Sequence, residues 1–284
     1  MDSRASLSPA SRTLTYLTAL LYAVTGAALF IFPQALAPVF AWKVTPFMTM
    51  TIGGWCLGNA WLAFLSARRW EWRWVYPALV YLWSFGILES LVVLLFRDKL
   101  QLVHPIAWLY LVTLAANLIA AVLGISDWLR LRPHVRDGES MTGFTRFLAM
   151  GFVLFVGFLG FWGLTAQIGD AATNGEIFPE IMSLFTLRSF GAFYFSLTIG
   201  MIPVLFERNL APLLNYAFLA MGLIVIITIA AFAYLHLFDF RRHPFGMLYF
   251  AAYIGAGIVV LYLLWKYGTG ISKQPETRSR RVTP

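Results

Sequence analysis

Eight apolar runs, separated by short polar segments, divide this chain, near residues 13–33, 46–66, 75–96, 105–126, 146–166, 183–205, 211–234 and 245–266. A spanning helix needs roughly 20 mostly apolar residues, because the hydrocarbon layer of a bilayer is about 30 Å thick. The runs are continuous, without the apolar-polar alternation of barrel strands, so they predict helices. The expected fold is an all-α integral membrane protein with eight transmembrane helices.

The runs also repeat. The segment His104-Pro105-Ile106-Ala107-Trp108-Leu109-Tyr110-Leu111 returns as His243-Pro244-Phe245-Gly246-Met247-Leu248-Tyr249-Phe250, sharing its His, Pro, Leu and Tyr. Upstream, Pro77, Tyr81 and Gly86 find near-register counterparts in Pro212, Tyr216 and Gly222. Glu71 matches Glu207, and Phe32-Pro33 matches Phe178-Pro179. Each copy covers four runs, and four is even, so both copies are expected to enter the membrane in the same direction. That is a parallel 4+4 internal repeat about an axis along the membrane normal. The domain reading is a first four-helix repeat over 1–130, a polar cytoplasmic linker over 131–145 and a second repeat over 146–268, then a basic, disordered tail over 269–284.

Composition agrees with this reading: 60% of residues are hydrophobic and 12% charged, and the mean hydropathy is +0.74. With the N-terminus inside, the inner segments hold Arg4, Arg12, Arg68, Arg69, Arg73, Arg130, Arg132, Arg136, Arg146, Arg208, Lys266, Lys273, Arg278, Arg280 and Arg281. The outer segments hold only Lys43, Arg97, Lys99, Arg241 and Arg242. This bias of about threefold places both termini in the cytoplasm and the chain in a bacterial inner membrane, as a multi-pass protein. Trp70, Trp72, Trp74, Trp128 and Trp265 fall at inner helix ends, where indoles are expected at headgroup level. The net charge of +8 reads as topology and lipid contact, and no nucleic-acid partner is expected. Arg4, Arg12, the run from Leu14 to Phe32 and Ala35-Leu36-Ala37 also resemble a secretory signal. The equivalent mid-chain run from Phe147 to Ala166 cannot be a signal, so the first helix is expected to stay.

Few polar groups lie inside the runs. Glu89 and Arg188 are the charged ones, at roughly 10 and 7 Å from the outer helix ends at 1.5 Å per residue. Either charge alone costs at least ~2.5 kcal/mol in a membrane, so an ion pair between them, or a ligand site with Asn59 and Asn117, is the expected solution. Neither has a twin: Glu89 falls opposite the aliphatic stretch near Val225, and Arg188 opposite Ile52 or Gly53. Thr113, Thr186, Asn215 and Thr228 are expected to bond across helices or back to their own carbonyls. Gly54 with Gly58, Ala116 with Ala120 and Gly124, Ala251 with Gly255, and the glycines at 157, 160 and 163 mark close helix packing.

Outside the runs, Asp170, Glu176 and Glu180 form an acidic outer loop with an Asn174-Gly175 turn, read as a solvated cover. Its first-half counterpart, with Pro33, Pro38, Trp42 and Pro46, reads as interfacial. His104, His243 and Asp239 are lesser metal candidates, since a residue before a helix-starting Pro is an ordinary helix start. Cys56 is the only cysteine, which excludes an intrachain disulfide and CxxC chemistry. No Walker lysine loop, HExxH, GxSxG or dinucleotide fingerprint occurs. No cofactor is expected, with haem, metal or pigment as the lesser alternative.

The stretch Thr186-Leu187-Arg188-Ser189-Phe190-Gly191-Ala192-Phe193-Tyr194, followed by Glu207-Arg208, resembles a group of small uncharacterised bacterial four-helix membrane proteins. The resemblance covers most of the second half and, more loosely, the first, where Thr49 to Gly54 lacks the Arg. It implies a four-helix membrane unit and carries no activity. The functional expectation is a non-enzymatic structural or accessory subunit, or a lipid or small-hydrophobe binding protein. Its partners would be membrane lipid, and a larger membrane complex or a homodimer. The alternatives are a small-solute or ion transporter with its site at Glu89 and Arg188 and, last, a membrane enzyme using the outer His and Asp residues.

Overall fold

The computed structural model describes residues 6–133, 139–169 and 178–271, with 269–271 as backbone alone. Arg4, Arg136, Asp137, Gly138, Asp170, Asn174, Gly175, Glu176 and the tail from 272 lie outside the described residues. Within them the chain is helical: α1 (Pro9–Ile31), a short α2 (Pro33–Leu36), α3 (Pro46–Arg69), α4 (Trp72–Leu95), α5 (Pro105–Leu131), α6 (Gly143–Thr165), α7 (Leu184–Glu207), α8 (Leu210–Ala233) and α9 (Gly246–Ile271). The long helices begin where the sequence offers a cap or a proline. Ser8, Thr142, Ser183 and Asn209 each accept a backbone N–H of the following turn, and Pro46 and Pro105 occupy first helical positions.

Seven helices are long and apolar enough to cross a membrane, and the chain is a polytopic, membrane-type bundle. The exception is α3, where the sequence led us to expect an eighth self-sufficient span. It is 24 residues long, like α4, α7 and α8. Thr49, Thr51, Gly53, Gly54, Gly58, Asn59 and Ser66 lower its hydropathy, and all seven are buried. Sixteen of its 24 residues are buried, as α1, α4 and α8 pack around it. A helix enclosed by protein on most sides need not be apolar, because its polar groups meet other helices instead of lipid.

The long helices alternate in direction. At one end of the bundle, Trp70 Nε1 donates to the Leu7 carbonyl at 3.0 Å, and Arg12 Nε to the Ala67 carbonyl at 2.8 Å. At that same end the Asp127 carboxylate accepts the Ser8 amide and the Ser8 and Ser11 hydroxyls. The segment before α6 is pinned there too, by backbone bonds between Met141 and Arg208 and between Leu210 and Glu139, 2.9 Å each. At the opposite end Gln101 donates to the Ala41 carbonyl and Gln34 to the Tyr234 hydroxyl. Of the five end tryptophans, only Trp128 and Trp265 face outward. Trp70, Trp72 and Trp74 are packed, Trp74 beneath the Arg69 guanidinium at 3.9 Å.

Two crossings of unusually close approach hold the bundle. A Cβ on Gly26 or Gly53 would lie 2.7 Å from the Leu57 amide nitrogen or 2.6 Å from that of Phe30, so α1 and α3 touch backbone to backbone. Gly163 and Gly191 make the same contact between α6 and α7, where a Cβ on Gly163 would sit 2.7 Å from Gly191 Cα. Gly54 and Gly58 face Ile227 and Leu223 of α8, and Gly124 faces Trp83, so these small residues serve packing inside the chain. The Ala251–Gly255 pair does not, for a Cβ on Gly255 would meet nothing within 4 Å. Replacing Gly53 by Leu is expected to separate α1 from α3 and cost about 2–3 kcal/mol or more. Gly255→Ala should leave stability unchanged or slightly raised. Unfolding midpoints of the detergent-solubilised variants check both.

Candidate functional site

The most deeply buried charged side chain sits where helices of both halves of the chain meet. Glu89 of α4 has no exposed surface. Its Oε1 accepts the Tyr110 hydroxyl of α5 at 2.8 Å and the Ser189 hydroxyl of α7 at 2.9 Å, while Oε2 has no partner. Beside it runs a ladder of amides and hydroxyls. Asn117 Nδ2 donates to the Tyr22 hydroxyl at 2.9 Å and the Leu82 carbonyl at 3.0 Å, the Thr25 and Thr113 hydroxyls bond at 2.8 Å, and Tyr81 donates to Asn59 Oδ1 at 2.6 Å. Asn59 and Asn117 thus join the polar core beside Glu89, each through a tyrosine. The void among Tyr22, Cys56, Tyr110 and Thr113 is about 10 Å³, so the cluster has room for one water at most.

Arg188 is not part of this cluster. Its guanidinium donates to the carbonyls of Leu164 and Ala166, at the end of α6, and no ion pair joins it to Glu89. The expected pair fails for a rotational reason. Successive residues on a helix point about 100° apart, so when Ser189 faces Glu89 its neighbour Arg188 faces elsewhere. The remaining intramembrane groups bond as their chemistry requires: Asn215 Nδ2 to the Trp74 carbonyl at 2.6 Å, and Thr228 to its own Ile224 carbonyl at 2.6 Å.

The opposite end of the bundle holds the His and Asp residues. His104 and His243 are exposed, and Asp239 accepts the backbone amides of Arg241 and Arg242. Among the described residues no group of three His, Cys, Asp or Glu side chains could hold a metal ion. Of the acidic loop, only Glu180 is described. It approaches Tyr234, whose phenol burial, and secondarily the Glu180 carboxylate, push above its ordinary pKa. Trp42, expected at the interface, is instead buried: it stacks on Phe185 with ring centroids 4.3 Å apart and donates to Thr186 at 3.1 Å.

A second feature was invisible in the sequence. Between α6, α7, α8 and α9 lies a cavity of about 360 Å³, lined by apolar side chains such as Phe147, Phe152, Phe155, Ala252 and Ala256. Helices α6 and α9 meet toward one end, where Phe144 packs edge-on to Tyr262 and the Tyr267 hydroxyl lies 3.2 Å from that of Thr145. Above that contact the wall is open, with Phe147 and Phe155 exposed. Deep in the cavity the hydroxyls of Tyr194 and Tyr253 bond to each other at 2.7 Å. Neither Glu89 nor Arg188 lines it. A wider groove of about 790 Å³ runs between α1, α3 and α8, also apolar and without a buried polar cluster.

The fold and these sites define a polytopic helical membrane-type protein with a sealed polar core and an open apolar cavity. No family model, curated protein or solved structure matches the chain. The resemblance to small four-helix membrane proteins therefore rests on the α7 motif alone.

Tyr110 and Tyr249, identical residues of the duplicated segment, make opposite predictions. Tyr110→Phe removes a donor from a buried carboxylate and should cost about 1–3 kcal/mol. The Tyr249 hydroxyl is buried without a partner, so Tyr249→Phe should be neutral or stabilising. Chemical unfolding of the two variants side by side decides between these outcomes.

Proposed function

We propose that the protein binds an elongated apolar molecule taken from the lipid phase, in the cavity between α6 and α9, and performs no catalysis. The observation that carries this reading is the cavity itself. Its volume of about 360 Å³ falls in the range of small-molecule sites, roughly 300–1,000 Å³, and its wall is almost wholly apolar. Entry from the side, between α6 and α9, suits a ligand dissolved in the bilayer. A transporter working at Glu89 would need a path for water to that carboxylate, and its enclosure by Tyr110 and Ser189 supports the binding reading instead.

The architecture behind this proposal is eight spans, with α3 as the enclosed eighth, made by parallel duplication of a four-helix unit. Reciprocal packing supports it: α4 lies on α7 as α8 lies on α3, and α1 crosses α3 at Gly26 and Gly53 as α6 crosses α7 at Gly163 and Gly191. The duplication also accounts for the cavity. Counting from His104 and His243, the residues that bond α5 to α1, Thr113, Asn117 and Asp127, correspond to Ala252, Ala256 and Lys266 of α9. The first unit is laced shut by side-chain hydrogen bonds, and the second has alanines where that lacing would be. The basic residues Arg12, Arg68, Arg69, Arg73, Arg130, Arg132 and Arg146 sit at or beside the helix ends where α1 begins, which supports a cytoplasmic N-terminus in an inner membrane. Lipid is the proposed partner, with a larger membrane complex or a second copy as the assembly partner.

The test is to solubilise the protein gently, extract it with organic solvent and identify what it carried by mass spectrometry. A stoichiometric apolar molecule is expected, and Ala252→Phe or Ala256→Phe, which fill the cavity, should reduce its occupancy about tenfold. Wild-type protein free of any such molecule, and unable to take one up, would rule the reading out.

A further inference from the structure

The cavity is apolar except at one place, and that place says what the ligand carries. Tyr194 and Tyr253 reach it from α7 and α9, both buried, with hydroxyls 2.7 Å apart. Each phenol has one proton to donate. Two hydroxyls joined by one hydrogen bond use one proton, and the accepting tyrosine keeps its own. The Tyr249 ring lies 5.0 Å from that of Tyr253, and its hydroxyl is buried and unpartnered. Adding it does not remove the surplus, because an open chain of hydroxyls always ends on one free O–H. A buried donor left unused costs about 1–3 kcal/mol, so these tyrosines have a standing demand for an acceptor.

No such acceptor is supplied by the protein. The Tyr216 hydroxyl, also on the cavity wall, donates to the Leu197 carbonyl at 3.3 Å, and no other side chain of the wall offers a carboxylate or an amide. We infer that the cavity binds an alkyl-chain molecule bearing a carbonyl oxygen, of the ester or ketone class, and that the Tyr194–Tyr253 pair donates a hydrogen bond to that oxygen. The inference rests on the cavity being a binding site for an apolar molecule and adds the polar group that such a molecule presents. A cationic or ammonium head is disfavoured, since it brings donors to a site that already has one too many. A carboxylate is disfavoured because no cation lines the cavity.

The experiment compares three probes on the full-length protein in detergent, scored by native mass spectrometry: methyl myristate, the hydrocarbon pentadecane, and the diacyl lipid dimyristoyl phosphatidylglycerol. The ester should bind wild-type protein about five- to tenfold more tightly than the hydrocarbon, the worth of one hydrogen bond in a dry site. In the Tyr194→Phe/Tyr253→Phe double variant the two should bind equally, with hydrocarbon affinity unchanged, which also shows that the variant is folded. Isotope-edited infrared spectra of carbonyl-labelled methyl myristate give a second readout, in which the bound ester band moves down in frequency with wild type and returns in the double variant. Binding of the diacyl lipid with the same tyrosine dependence would assign the carbonyl to a bilayer lipid. Binding of methyl myristate alone would assign it to a free single-chain hydrophobe. Equal affinity of ester and hydrocarbon for wild type, or an ester advantage that survives in the double variant, would overturn the inference while leaving the cavity reading intact. Failure of all three probes to bind would overturn both.

Discussion

Everything in this bundle depends on enclosing α3. A helix that carries Thr49, Thr51, Asn59, Ser66 and three glycines has too little apolar surface to face lipid on its own, and its burial has to come from neighbours. The glycines that make it a poor span make it a good partner. Gly53 lets α1 approach to backbone contact, and Gly54 and Gly58 admit Ile227 and Leu223 of α8. In lipid, where burial of apolar area gives no net drive between helices, such close packing and interhelical hydrogen bonds are the main sources of association. Polarity at α3 thus dictates where α1, α4 and α8 stand, and through them where the second half docks.

The two halves spend their polar groups differently. In the first, Thr25–Thr113, Tyr22–Asn117 and Ser11–Asp127 join α1 to α5 at three heights, and the cluster closes over Glu89. A hydrogen bond between helices is worth about 0.6 kcal/mol on average in a membrane protein, so three at different heights fix a helix more by geometry than by strength. In the second half α6 and α9 have only the Thr145–Tyr267 and Phe144–Tyr262 contacts to hold them. The space this leaves is lined by rings and methyl groups with no polar group that would retain water, and an apolar void of that size is a place for an apolar guest.

The positions of the long helices were legible because hydropathy and helix-starting prolines are local: Pro46 and Pro105 begin α3 and α5 at the positions expected of them. The partners of Asn117 and Asn215 were legible in kind, since a buried amide must bond across helices. What could not be read was direction around a helix axis. Matching the depths of Glu89 and Arg188 fixes height but leaves azimuth open, and azimuth gave Glu89 to Ser189, one residue away. Trp42 was misplaced for a related reason. A loop tryptophan beside prolines has the composition of an interfacial residue, and only the stacking surface of Phe185 draws it inside. A cavity is harder still, being a property of four helices at once. Its one trace in the sequence is the change from Thr113 and Asn117 to Ala252 and Ala256 along two otherwise matching helices.

Arg188, the residue that first drew attention as a candidate site, has a structural account that removes the need for a ligand. Helix α6 ends without a glycine in the left-handed conformation, so its last carbonyls lack the usual closing bonds. The Arg188 guanidinium reaches across from α7 and donates to two of them, Leu164 and Ala166, where the negative end of the helix dipole also favours a cation. Arg12 does the same from α1 for the end of α3, donating to the Ala67 and Arg68 carbonyls. Within each pair of helices crossed at glycines, one helix thus carries an arginine that closes the end of the other. An arginine already committed to two carbonyls and facing away from Glu89 has little left to offer an anion, so the chemistry of binding falls to the tyrosines of the cavity.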